Sequence, residues 1–230
     1  MTAAADRLER LAAVEEQVVS CRVCPRLVAH REYASAHRKP AFAGERYWSR
    51  PVPGFGDPDA GVYVLGLATA AHGGNRTGRA FTGNVTADWL VAALHRAGLA
   101  DRPTSAYRGD GLRLTGAWMA SAVRCAPPAD RPTAAERQAC ARFLDAELAA
   151  LTWVRVIVCL GALAWEAAAG WAGLRPRPPF GHGREQPIGA ERTLLGCYHP
   201  SPQNTRTGRL TAAMLDGILH RAVRLAADQR

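Results

Sequence analysis

Two stretches of the chain hold residue types that packing alone does not call for. His199-Pro200-Ser201-Pro202-Gln203-Asn204-Thr205-Arg206-Thr207-Gly208-Arg209 joins an imidazole to a proline-stiffened run of hydroxyls, amides and arginines. Such a run can set the ring against a ligand while its neighbours grip phosphates. Gly66 through Asn84, with His72-Gly73-Gly74-Asn75-Arg76-Thr77-Gly78-Arg79 and Phe81-Thr82-Gly83-Asn84 inside it, is polar and glycine-rich. Backbone N–H groups there, followed by a helix N-terminus, can receive an anionic or carbonyl-bearing ligand. The stretch matches neither GxGxxG nor GxxxxGK(S/T), so no nucleotide cofactor is expected. His30, His37, His95 and His220 lack such company and read as packed or solvated side chains.

Cysteine spacing offers a third kind of chemistry. Cys21 and Cys24 form a CxxC, and Cys125 and Cys140 stand on either side of a Pro-rich loop and the start of a helix. Four thiolates drawn from two segments can hold a tetrahedral zinc or a 4Fe-4S cluster, and the spacing does not choose between them. Cys159 and Cys197 fall in apolar runs and read as small core hydrophobes. A disulfide framework is not expected in a cytosolic chain of this size.

The elements that must position these residues alternate. Apolar runs at 61–67, 118–123, 154–160 and 193–198 read as buried strands, and helical patterns lie at 4–20, 85–98, 133–151, 161–171 and 208–227. Strand-helix alternation with near-continuous apolar strands predicts an α/β fold, a parallel sheet covered by helices on both faces. Both polar stretches then follow a strand's carboxyl end, where ligands bind in such sheets. Residues 36–60 are rich in Pro, Gly and aromatics and predict an ordered loop.

The chain has 230 residues, 48% of them hydrophobic, which suits one domain over 1–230. Its 29 Lys+Arg against 20 Asp+Glu give a net charge of +9 and favour a polyanionic partner. Lys39 is the sole lysine, so the positive charge is nearly all arginine. The longest apolar run, Val156 to Trp165, is about half the roughly 20 residues a membrane span needs, and the acidic N-terminus does not fit a signal peptide. A cytoplasmic protein with no membrane association is expected, acting as a monomer.

In order, the CxxC, the HGGNRTGR and FTG strings, AVRCAPP with Cys140 beyond it, and HPS-QNT-TGRLT resemble the family 5 (UDGb type) enzymes of the iron-sulfur branch of the uracil-DNA glycosylase superfamily. The resemblance covers nearly the whole chain. It implies a three-layer α/β/α sandwich on a four-stranded parallel sheet, a 4Fe-4S cluster on Cys21, Cys24, Cys125 and Cys140, and excision of damaged bases from DNA. By the same resemblance Phe81 stacks on the flipped base and His199 hydrogen-bonds its O2 as the glycosidic bond breaks. Gly66, Leu67, Ala68 and Thr69 form the pocket floor. Ser201, Pro202, Gln203, Asn204, Arg206, Thr207 and Arg209, with Arg76 and Arg79, contact the DNA.

Two chemical positions depart from that pattern. The family reads FTGD where this chain ends in Asn84, which can orient a water but cannot accept its proton. It also reads TNAVRC where this chain has Ser121, a shorter residue beside the base edge. A monofunctional glycosylase acting on deaminated bases such as uracil, hypoxanthine or xanthine is the expectation, since Lys39 is far in sequence from both motifs and no Schiff-base amine is at hand. The alternative is a catalytically weak or inactive 4Fe-4S protein of the same fold that binds a modified base in DNA. A base deaminase is excluded by the absence of H-x-E and P-C-x-x-C strings.

Overall fold

The computed structural model describes residues 2–227. In chain order its elements are α1 (Ala3–Ser20), α2 (Pro25–Ala36), β1 (Phe55–Gly56), β2 (Val62–Ala68), α3 (Gly74–Thr77), α4 (Val85–Arg96), β3 (Ala117–Val123), α5 (Ala134–Ala150), β4 (Val156–Leu160), α6 (Ala162–Trp171), β5 (Glu185–Ile188), β6 (Arg192–Cys197), α7 (Pro202–Arg206) and α8 (Ala212–Ala227). Caps mark the starts of several helices. Thr2 accepts from the Ala5 N–H, Asn84 from Ala87, and Thr133 with Glu136 closes a reciprocal capping box on α5.

Strand order in the sheet is β1-β3-β2-β4-β6-β5. The inner four strands are parallel, as their apolar runs predict, while β1 and β5 pair antiparallel at the two margins. The sheet therefore has six strands rather than the four expected. The additions escape a sequence reading because β1 is two residues long and β5 carries Pro187, so neither shows a strand's alternation.

Successive residues of each inner strand serve opposite layers. Val62, Val64, Met119 and Val158 pack with Leu90 and Leu94 of α4 and Leu215 and Leu219 of α8. Tyr63, Leu65, Ala120 and Ile157 pack with Leu144 and Leu148 of α5 and Trp165 of α6. Burial of each large apolar side chain is worth about 1.5 to 3 kcal/mol, so both helix layers are held chiefly by the strands between them. From β2 the chain passes to β3 on one side, whereas β4 lies on the other. The boundary between β2 and β4 is thus a switch point, and a crevice opens at the strands' carboxyl ends there.

Helix α8 begins at Ala212 rather than 208, and Pro202–Arg206 forms a separate turn of helix with proline at its first position. Helix α2, directly after the CxxC, is not anticipated from the sequence. Cys159 and Cys197 are fully buried as expected of core residues, and burial pushes the Cys197 thiol up to about 12.

Candidate functional site

At the carboxyl end of the sheet lies a cavity of about 380 Å³. Its floor is Leu67, Ala68 and Thr69 at the end of β2, and the Thr69 hydroxyl donates to the Arg124 carbonyl at 3.2 Å, stitching β2 to the end of β3. Phe81 and Asn84 form one wall, Ser121 rises from β3, and His199 with Ser201 and Pro202 closes the far side. Gly66 pairs in register with Ser121 beneath the Phe81 ring.

Phe81 has a φ of 47°, a left-handed backbone that costs a side-chain-bearing residue energy. Two arginines hold the strained turn. The Arg79 guanidinium takes both carboxylate oxygens of Asp110 at 2.8 and 2.7 Å and also reaches the Thr82 and Ser105 hydroxyls. Burial alone would raise the Asp110 carboxyl, but this fork and the Leu112 and Ala106 N–H groups hold it well below the usual carboxylate range. Arg76 donates to the Gly83 carbonyl at 2.7 Å and the His72 carbonyl at 2.9 Å, pairs with Glu45 and lies over the Phe42 ring. Arg76 and Arg79 were expected to meet DNA. Both are buried and saturated by internal partners, and their work is to shape the loop that presents Phe81.

His199 is partly buried, and loss of water lowers its imidazole below the ordinary value of 6.5, with the charge of Asp130 opposing that shift. The ring is therefore neutral at neutral pH and carries a single N–H to donate. Its backbone carbonyl accepts from the Asn204 amide at 2.8 Å, so Asn204 braces the histidine from behind. Gln203, Arg206, Thr207 and Arg209 are exposed on the same loop, outside the cavity. Asn84 spends its side-chain oxygen on the Ala87 N–H at 2.9 Å.

Residues 53–222 match the family described as the uracil DNA glycosylase superfamily. The chain belongs to that superfamily. Three relatives, each called a type-5 uracil-DNA glycosylase, extend the match. The protein of Thermus thermophilus is 52% identical over 212 residues, covering 92% of this chain and 96% of its own. That of Mycobacterium bovis is 51% identical over 209 residues (90% and 78%), and that of Pyrobaculum aerophilum 45% over 212 residues (92% and 90%). The superfamily placement agrees with the mixed α/β sheet and its flanking helices.

In this superfamily member Cys21, Cys24, Cys125 and Cys140 line one further cavity, between the ends of α1 and β3, the start of α2 and the body of α5. Arg31 donates to the Cys125 sulfur at 3.2 Å, the Arg124 N–H to Cys140 at 3.4 Å, and Arg142 to Cys21 at 3.5 Å. Such donors favour anionic sulfur, but burial outweighs them, pushing the Cys125 thiol up to about 11 and the Cys140 thiol above its ordinary value. Among the described residues no three Cys, His, Asp or Glu side chains form a group that could hold a metal ion. Arg31 also donates to the Cys21 carbonyl, and its own carbonyl accepts from Asn75 at 3.2 Å, so one residue touches both the cysteine cavity and the loop over the pocket.

Not anticipated from the sequence are Asp130 and Thr86, which line the pocket, and Tyr47, whose hydroxyl meets His72 Nδ1 at 2.8 Å. Asp130 sits in the loop after β3, and its place at a strand's carboxyl end was the available signal.

Proposed function

We propose that the chain is a monofunctional DNA glycosylase that hydrolyses the N-glycosidic bond of uracil and of larger deaminated bases such as hypoxanthine and xanthine, leaving an abasic site for base excision repair. The observation that carries this reading is the convergence of neutral His199, Phe81 and Ser121 on one cavity at the sheet's switch point. A flipped base lies against Phe81, and as the bond breaks the base takes negative charge. The His199 N–H, fixed where that charge develops, binds more strongly in the transition state than in the ground state. Ser121 leaves room that an asparagine would fill, which supports the larger bases. The exposed Arg206 and Arg209 meet phosphates beside the pocket.

Cys21, Cys24, Cys125 and Cys140 would hold a 4Fe-4S cluster, which supplies a cross-link between α1, α2, α5 and the end of β3. We read the protein as a cytoplasmic monomer that needs no nucleotide cofactor. The rival reading, a binding protein without catalysis, draws support from Asn84, whose oxygen is occupied by the helix cap. Single-turnover cleavage of duplexes bearing uracil, hypoxanthine or xanthine, run beside a binding assay, decides between them. Excision of uracil with measurable turnover of one purine is expected, and tight binding with no excision of any base overturns the proposal.

A further inference from the structure

We propose that Asp130, at the mouth of the pocket, is a catalytic carboxylate that faces the cationic sugar and takes the proton of the attacking water. This inference rests on the glycosylase reading of the same cavity. Asp130 is the only carboxylate among the described residues lining that cavity, which it shares with Phe81, Asn84, Ser121 and His199. Hydrolysis of a glycosidic bond needs a group that tolerates positive charge at C1′ and can accept a proton. Asn84 cannot accept one, its oxygen is committed to the Ala87 N–H, and His199 is needed as a donor on the base side.

The backbone around Asp130 is arranged at a cost. Ala129 and Asp130 have φ of 51° and 55°, two successive left-handed residues with side chains, in a turn closed by the Asp130 N–H on Pro127 at 3.2 Å and the Arg131 N–H on Pro128 at 3.1 Å. Asp130, in the loop after β3, and His199, in the loop after β6, line the same cavity. A carboxylate at the entrance of a DNA site repels phosphates. It is useful there when it meets a cation inside, and the oxocarbenium-like sugar is one.

In the step, the C1′–N bond breaks and its electron pair leaves on the base, whose carbonyl oxygen is held by His199. The water oxygen adds to C1′ and its proton moves to Asp130. That proton then passes through solvent to the base anion, giving free base and the abasic hemiacetal and restoring the carboxylate.

The test compares wild type with Asp130→Asn, a substitution that keeps shape and tolerates the left-handed backbone. Duplexes carrying a cationic pyrrolidine or a neutral tetrahydrofuran in place of the target nucleotide are titrated by fluorescence anisotropy. Wild type is expected to prefer the cationic mimic by about tenfold or more, and Asp130→Asn to lose that preference. Single-turnover uracil excision by Asp130→Asn is expected to fall by about 10²-fold, with partial recovery when Asn84→Asp is added. The inference falls, and the glycosylase reading stands, if Asp130→Asn keeps both the preference and the wild-type excision rate. A wild type that excises no base and binds the two mimics alike overturns both.

Discussion

Gly66 and Phe81 lie so close that a methyl group on Gly66 would stand 2.5 Å from Cζ of the Phe81 ring. The glycine is required there for space, because the floor of the pocket is bare backbone pressed against an aromatic face. Gly66→Ala must displace the ring from its seat. Uracil excision is expected to fall about tenfold or more while stability drops by about 1 to 3 kcal/mol, the usual cost of overpacking. Single-turnover kinetics with a thermal melt check this, and an unchanged rate would show that stacking does not depend on the ring's present position.

Neutral His199 sets a pH dependence. Burial lowers its imidazole below 6.5, as it does for His72 and His182, so the unfolded chain binds protons that the folded chain refuses. Stability is therefore whole above about pH 6.5 and is lost as pH falls from there through the folded values. Urea midpoints measured from pH 5 to 8 should show this loss in wild type and a smaller one in His199→Gln. Excision should stay level between pH 6.5 and 8 and drop by about 10²-fold or more in His199→Ala with little change in DNA affinity.

Asn84 caps α4 through the Ala87 N–H at 2.9 Å, and an aspartate can make the same bond at a helix N-terminus. Asn84→Asp should hold the melting temperature or raise it slightly and speed uracil excision. Asn84→Ala should cost about 1 kcal/mol through the lost cap. A slower Asn84→Asp enzyme with an intact fold would mean that the pocket is tuned around the amide.

Arg124 and Glu147 form an ion pair buried from solvent, with guanidinium-carboxylate distances of 2.7 and 2.8 Å. The Tyr63 hydroxyl and the Gly54 N–H complete the shell of Glu147. Burial works against charge on Arg124, and the Glu147 carboxylate more than offsets it. Glu147→Gln should cost about 3 to 5 kcal/mol by leaving the guanidinium without its counter-charge. Chemical denaturation measures it, and a loss under about 1 kcal/mol would mean that water reaches the pair.

With the proposed 4Fe-4S cluster on Cys21, Cys24, Cys125 and Cys140, the purified protein should be brown, and changing any one of the four to Ser should abolish the colour and lower stability. Cys159→Ala and Cys197→Ala should retain the colour, since both thiols lie within the sheet. Absorbance and iron analysis read the outcome directly. A colourless wild type with one equivalent of zinc would contradict the cluster.

The inner strands and long helices were legible because their apolar periods are long, as in the Val156–Leu160 run and the capped helix that begins at Ala134. The cavity residues Phe81, Ser121 and His199 were legible through the motifs that surround them. Arg76 and Arg79 were misread because an arginine in a polar loop looks alike whether it meets phosphate or carboxylate. Their partners Glu45 and Asp110 lie 31 residues away in each case, and only the fold brings them together. Asp130 was overlooked for the opposite reason, since an aspartate among prolines reads as a plain turn until the turn is seen at the pocket's rim.

The two short antiparallel strands at the sheet's margins bear on how these molecules behave in company. An outer parallel strand left bare would recruit a strand from a neighbour, the first event in sheet-driven aggregation. One margin instead ends in the two residues of β1, and the other in β5, where Pro187 has no N–H to offer and Glu185 adds an exposed charge. Copies meeting edge to edge thus present poor strand templates to one another at both margins of the sheet.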